Sequence, residues 1–155
     1  MVYGRLSRIV GPVADRDDLT QDVFLGLYRA LPQFRGDAAV STLLYRITAN
    51  VACDHLRRRG RRPVEPLAAA AVEALISEDA GPDERARRGQ ALARVFAALD
   101  RIAPKKRVAL LLRVVEGLGF EEIGGIVGTS ADTAKKRALH GLRELTALLA
   151  PHGAP

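Results

Sequence analysis

From Asp15 to Leu31 the chain reads DRDDLTQDVFLGLYRAL, with Leu19, Val23, Leu27 and Leu31 four residues apart. Spacing this close to the 3.6-residue helical period predicts a helix carrying one apolar stripe. Asp15, Asp17 and Asp18 crowd its first turn, where the unpaired N–H groups of a helix favour negative charge. Pro32 should stop it, because proline lacks an N–H and clashes with the preceding turn. The loop QFRGDAA follows, with a turn at Gly36. A second long helix is expected from Val40 to about Arg59, with Leu44, Ile47, Val51 and Leu56 facing inward. The opening VYGRLSRIV looks like the last turns of a further helix.

The pattern breaks over residues 60–82. Gly60, Pro63, Pro66, an alanine tract and AGP read as a linker, with room for a short helix at Leu67 to Ile76. Asp83 is expected to cap a helix running through Leu99. Another helix, in APKKRVALLLRVVEG, has Pro104 at its first position and Gly117 at its end. The stretch GFEEIGGIVGTSADTAKKRALHGLR, Gly119 to Arg143, then predicts two short helices about a turn at Gly128. Ile123, Ile126 and Val127 form the inner face of the first. Ala134, Ala138, Leu142 and Leu145 form that of the second, which starts at Ala131 or Asp132. Gly124-Gly125 inside the first helix costs about 1 kcal/mol per glycine unless close packing demands a small residue. No strand-like alternation persists. The expected fold is all-α: two small helical domains joined by a flexible linker, the C-terminal one a helix-turn-helix.

Composition sharpens this picture. Of 155 residues 48% are hydrophobic and 5% aromatic, with no Trp, so the core must be built of Leu, Val, Ile and Ala. The net charge of +6 suits a polyanionic partner. Residues 1–63 carry 11 Lys/Arg against 6 Asp/Glu, residues 64–89 carry 3 against 6, and residues 90–155 carry 10 against 6. Two basic blocks thus flank an acidic connector, which solubility alone does not explain. Cys53 is the single cysteine and reads as a small core residue of an intracellular chain. His55, His140 and His152 lack companions at metal-ligand spacing, so no metal site and no cofactor are expected. No apolar run approaches the roughly 20 residues of a membrane span, and no signal peptide precedes the first charge. A cytoplasmic chain without membrane insertion is expected.

Three groups of polar residues stand out. In the last helix pair Lys135, Lys136, Arg137 and His140 face outward near the start of the second helix, the part of a recognition helix that reaches base edges. Lys and Arg suit phosphate and guanine contacts. Thr129, Ser130 and Thr133 lie where hydroxyls and free N–H groups can hold a phosphate. On the helix over residues 15–31, Asp18, Gln21, Asp22 and Leu25 share the face opposite the Leu/Val stripe. An acidic face on a basic protein suits a positively charged protein surface rather than DNA. On the helix over residues 40–59, Asn50, Asp54 and Arg57 share a face, and Arg58, Arg59, Arg61 and Arg62 extend a basic edge. Polar groups for base edges beside arginines for phosphates are what capture of an unstacked strand requires. Asn50 and Asp54 can equally satisfy helix and core hydrogen bonds. Asp15, Asp17, Asp18 and Asp22 crowd one helix end without a second cluster or general base, which does not point to a metal nuclease.

These residues resemble a known family. LDRIAPKKRVALLLRVVEGLGFEEIGGIVGTSADTAKKRALHGLREL is similar to region 4 of the extracytoplasmic-function (ECF) sigma factors of bacterial RNA polymerase, a branch of the sigma-70 family. LuxR-type output domains share much of that frame. DDLTQDVFLGLYRALPQFRGDAAVSTLLYRITANVACDHLRRR, however, resembles sigma region 2, a segment such regulators lack. The resemblance implies three parts: residues 1–62 as a region 2-like domain with a truncated first helix, residues 63–92 as a linker, and residues 93–150 as a region 4-like helix-turn-helix. It implies a protein without catalysis of its own, which binds polymerase core, directs it to promoters and helps melt the −10 region. Core docking would fall to Asp18, Gln21, Asp22 and Leu25. Binding of the −10 element would fall to Asn50, Asp54, Arg57, Arg58 and Arg61. The −35 element would meet Ser130, Thr133, Lys135, Lys136, Arg137 and His140. The implied partners are polymerase core, promoter DNA and an anti-sigma factor, which would hold the chain at the membrane when it is not at the nucleoid. A stand-alone helix-turn-helix regulator of LuxR type is the alternative.

Overall fold

The computed structural model describes residues 2–11, 15–36, 39–59 and 81–150. Among them the chain forms seven α-helices and no strand: α1 (Val2–Val10), α2 (Arg16–Ala30), α3 (Val40–Arg59), α4 (Pro82–Leu99), α5 (Pro104–Val114), α6 (Phe120–Val127) and α7 (Ala131–Leu149). A 3₁₀ turn, Leu31–Gln33, closes α2 and contains the helix-stopping Pro32. The all-α expectation and the C-terminal helix-turn-helix are what the structure shows. The expected short helix at Leu67 to Ile76, and most of the segment around it, lies outside the described residues.

Helix ends follow local chemistry. α4 begins one residue ahead of Asp83: Gly81 is the N-cap, Pro82 takes the first turn, and Asp83 and Glu84 place charge beside the free N–H groups. Residues 82–92 of the expected linker are therefore helical. Pro104 opens α5 as expected. Gly117, three residues past its end, adopts φ +69°, a left-handed conformation that glycine enters without steric cost.

The inward faces hold in part. Leu19, Val23, Leu44 and Leu56 are buried, and Leu27, Ile47, Val51 and Leu145 pack partly against the core. Leu31 is 45% exposed, because the 3₁₀ turn takes it off the α2 stripe. Leu142 is also exposed, while Gly141 is buried. The cause is geometric: steps of four residues drift about 40° per step around a 3.6-residue helix, and the 134, 138, 141, 145 series stays closer to one line. Gly141 lets α7 approach α5 closely, since a Cβ there would lie 3.1 Å from the Lys106 carbonyl oxygen.

Helices α1, α2 and α3 pack on one another, as do α5, α6 and α7, with α4 against α7. The two groups do not remain apart. α1 touches α5, and α3 packs against both α5 and α6, so that Leu6, Val23, Leu99, Leu112 and Ile123 belong to one continuous core. Each such side chain contributes about 1.5–3 kcal/mol when withdrawn from water.

Polar contacts reinforce that junction. Arg107 of α5 is 1% exposed. Its Nε donates to the Ile9 carbonyl oxygen at 2.8 Å and its Nη1 to Asp100 Oδ1 at 2.7 Å. Asp100 Oδ2 also receives Arg59 Nη2 at 3.4 Å. Burial works against the Arg107 charge, and the hydrogen bond to Asp100 opposes that effect. A second cluster forms at Glu116: Arg8 donates to Oε1 from Nη2 and Nε at 2.7 and 2.9 Å, and the Tyr45 hydroxyl donates to Oε2 at 3.2 Å. Arg5 lies 4.0 Å from the same carboxylate and stacks over the Tyr45 ring, 3.4 Å from its centroid. Burial, then Glu116, pushes the Tyr45 hydroxyl above its ordinary pKa.

Candidate nucleic-acid interface

The helix-turn-helix is built on two glycines, Gly128 and Gly124. α6 ends at Gly128 with φ +74°, and the chain folds back so that the Thr129 N–H donates to the Gly124 carbonyl oxygen at 2.9 Å. A Cβ on Gly124 would lie 2.6 Å from the Thr129 carbonyl oxygen and 3.1 Å from the Ser130 carbonyl carbon. The turn therefore rests directly on the α6 backbone, which accounts for one half of the glycine pair. Gly125 meets nothing, although its carbonyl accepts from Arg46 Nε of α3 at 3.2 Å.

Ser130 then caps α7, its Oγ accepting the Thr133 N–H at 3.1 Å. The same hydroxyl lies 3.0 Å from Thr133 Oγ1, so two candidate phosphate-binding hydroxyls are joined to each other at the helix start. Beyond them Lys135, Lys136 and His140 are exposed on the outer face of α7. Lys136 reaches back to Asp132 at 3.0 Å, with both side chains largely in solvent. A pair so exposed holds the lysine only weakly and leaves it available to a phosphate. Arg137 differs from its neighbours: it is half-buried and turns toward α3.

On α3, Asn50, Asp54 and Arg57 are all exposed and share a face, with Asp54 and Arg57 3.7 Å apart. Arg58 is exposed beside them. Arg59 leaves the predicted basic edge, since it is drawn inward to Asp100, and Arg61 and Arg62 lie outside the described residues. Opposite the α3 face stand Lys105 and Arg137. Together the two walls enclose a cleft of about 340 Å³. Cys53, expected in the core, packs partly against it and is half-buried on the wall of this cleft. His55 points elsewhere: burial first, then Arg59, holds its imidazole below the ordinary value of 6.5.

On α2, Asp18, Gln21, Asp22 and Leu25 are exposed along one side. Sequence reasoning missed their apolar companions: Phe24 is 52% and Tyr28 76% exposed, beside Leu25 at 51%. Phe24 lies three residues after Gln21 and Tyr28 four after Phe24, off the Leu/Val stripe, a signal present in the sequence. Exposed aromatics grouped with acidic side chains suit a protein partner more than a polyanion.

Residues 1–62 match the family described as sigma-70 region 2, and residues 92–145 match that described as sigma-70 region 4. The chain belongs to the sigma-70 family. Helices α1–α3 thus fall in region 2, and the later part of α4 with α5–α7 falls in region 4. Among ECF members, the chain is 34% identical to the sigma factor SigE of Mycolicibacterium smegmatis over 97% of its own length and 58% of that protein. It is 35% identical to the sigma-E factor of Escherichia coli over 88% of its length and 74% of that protein. The RNA polymerase sigma-H factor of Pseudomonas aeruginosa is 31% identical over 97% of the chain and 81% of its own length. The fold is shared with the sigma factor RpoE in its co-crystal structure with the anti-sigma factor NepR from Bartonella quintana: TM-score 0.68, 20% identity, covering 97% of this chain and 91% of that one. Among the described residues of this sigma-70 chain, no group of three His, Cys, Asp or Glu is placed to hold a metal ion, and no helix is long and apolar enough to cross a membrane.

Proposed function

We propose that this sigma factor binds the core of bacterial RNA polymerase, directs it to specific promoters and helps open the −10 region, while the chemistry of transcription belongs to the core. The observation that carries the reading is the presence of regions 2 and 4 in one chain and in that order. Residues 1–62 act as the region 2 unit, 63–92 as the connection and 93–150 as the region 4 unit.

The α2 face of Asp18, Gln21, Asp22 and Leu25, extended by Phe24 and Tyr28, docks on core polymerase. Its support is an acidic and aromatic surface exposed on a basic protein. Asn50, Asp54, Arg57, Arg58 and Arg61 capture the opened −10 strand, the polar pair reading base edges and the arginines holding phosphates. Ser130, Thr133, Lys135, Lys136, Arg137 and His140 meet the −35 element through the major groove. Joining two weak readers on one chain raises the effective concentration of the second once the first has bound, so a promoter needs both elements at the right distance. The chain acts in the cytoplasm without a cofactor, and an anti-sigma partner controls it, as its structural neighbour was solved with one. A LuxR-type regulator would leave the region 2 segment without a purpose.

Reconstituted transcription tests this. The chain added to bacterial core polymerase should co-purify with it and direct initiation from a subset of promoters. Neither co-purification nor initiation on any promoter of a genomic library would sink the reading.

A further inference from the structure

We propose that the cleft between α3 and the α5–α7 helices binds a small organic anion that carries a diphosphate and is the size of a mononucleotide. The inference goes beyond the sigma reading and does not depend on it. Arg57 of α3, Lys105 of α5 and Arg137 of α7 border the cleft, with Asp54 as the carboxylate among them. Asp54 already lies 3.7 Å from Arg57. Lys105 and Arg137 make no ion pair among the described residues, and Arg137 is half-buried. Arginine is rarely withdrawn from water without a counter-charge, and three cations around one carboxylate repel one another. An anion in the cleft answers both.

The start of α5 points the same way. It opens Pro104-Lys105-Lys106-Arg107, with no acidic residue in its first turn and no side-chain cap. Positive charge there opposes the helix dipole, so the stability of the helix does not account for it. Lys106 pairs with Glu144 and Arg107 with Asp100, which leaves Lys105 to the cleft. Its backbone N–H, at the second position of the helix, has no intrahelical acceptor. Asn50, exposed on α3, adds an amide donor. Two unpaired cations together with Arg57 call for an anion of two or three charges, which a diphosphate carries in one short group. Guanidinium groups match phosphate oxygens in bidentate geometry. The organic part follows from the space: at about 340 Å³ the cleft exceeds what the anionic group alone fills and falls in the size range of small-molecule sites. Ala49, Val108 and Val127 give it an apolar wall for a base or similar flat group.

Isothermal titration of the full chain with ADP and with inorganic pyrophosphate, at about 0.15 M salt to screen diffuse attraction, tests the site. Both should bind saturably with one molecule per chain, ADP more tightly because its base covers the apolar wall. Lys105→Glu should weaken both about tenfold or more, the loss of one charge-assisted contact. Lys105 is exposed, and circular dichroism melts verify folding; should that variant fail to fold, Lys105→Ala carries the test with a smaller loss. Changing Lys135 and Lys136 to Ala, on the outer face of α7, removes two charges away from the cleft and should leave both affinities unchanged. Equal affinity for ADP and pyrophosphate keeps the anion cradle and overturns the organic part of the ligand. No saturable binding up to about 1 mM, or equal weakening by the Lys105 and the outer-face variants, overturns the site. The measurement uses neither polymerase nor DNA, so its failure leaves the sigma reading in place, and a chain that binds ADP but never initiates transcription keeps the site and loses that reading.

Discussion

Arg107 shows how one side chain can serve a whole junction. It is buried, its charge is matched by Asp100, and a second N–H ties the Ile9 carbonyl of the other half. Removing one partner of a buried pair leaves the other uncompensated, at a cost of about 3–5 kcal/mol. Asp100 keeps Arg59, which places Arg107→Ala at the lower end, about 3 kcal/mol, measurable by urea unfolding. His55 makes a pH-dependent contribution of the opposite kind. Burial and the neighbouring Arg59 lower its pKa in the folded chain below the ordinary 6.5, so the unfolded chain binds the proton more readily. Stability from this group is therefore present above pH 6.5 and lost as pH falls through the lower folded value. Unfolding free energies measured across that window should fall with acidification in the wild type and fall less steeply in His55→Gln.

At the scale of elements, the α6–α7 turn depends on the absence of a side chain. Gly124→Ala would push a methyl group to 2.6 Å from the Thr129 carbonyl oxygen, and because that neighbour is backbone, the turn itself must move. Such overpacking costs about 1–3 kcal/mol. The expected result is a lower melting temperature with weakened binding of a −35 duplex, whereas Gly125→Ala, in open space, should leave both near wild type or raise stability slightly. Equal effects of the two substitutions would contradict the packing described. α3 has a different character: one side closes the core through Leu44, Thr48, Ala52 and Leu56, and another lines the cleft through Asn50, Asp54 and Arg57. Its polar face was visible in the spacing, while what stands opposite that face was not.

For the whole molecule, separate surfaces should give separable losses. Changing Lys135 and Lys136 to Ala removes two exposed cations of α7 while leaving the α2 face intact. Affinity for a −35 duplex should fall and its log–log salt slope should shrink by about 1 per lost phosphate contact. Core binding should be unchanged. Equal loss of DNA and core binding would contradict the assignment of these surfaces to different partners.

Periodicity by itself determined the α2, α3 and α5–α7 helices, because each must bury a stripe of apolar residues at a fixed angular spacing. Turn chemistry at Pro32, Pro104 and Gly128 determined where several of them stop or start, since proline and glycine act on the backbone of their own turn. The basic α7 face and the acidic α2 face were legible for the same reason: both are patterns within a single helix. Only the tertiary structure decided which glycine of the pair carries the turn, that Arg59 leaves the basic edge for Asp100, and that Cys53 lines a cleft. Each of these depends on a partner brought near by packing, and the Arg8–Glu116 pair, 108 residues apart in the chain, leaves no local trace in composition or period.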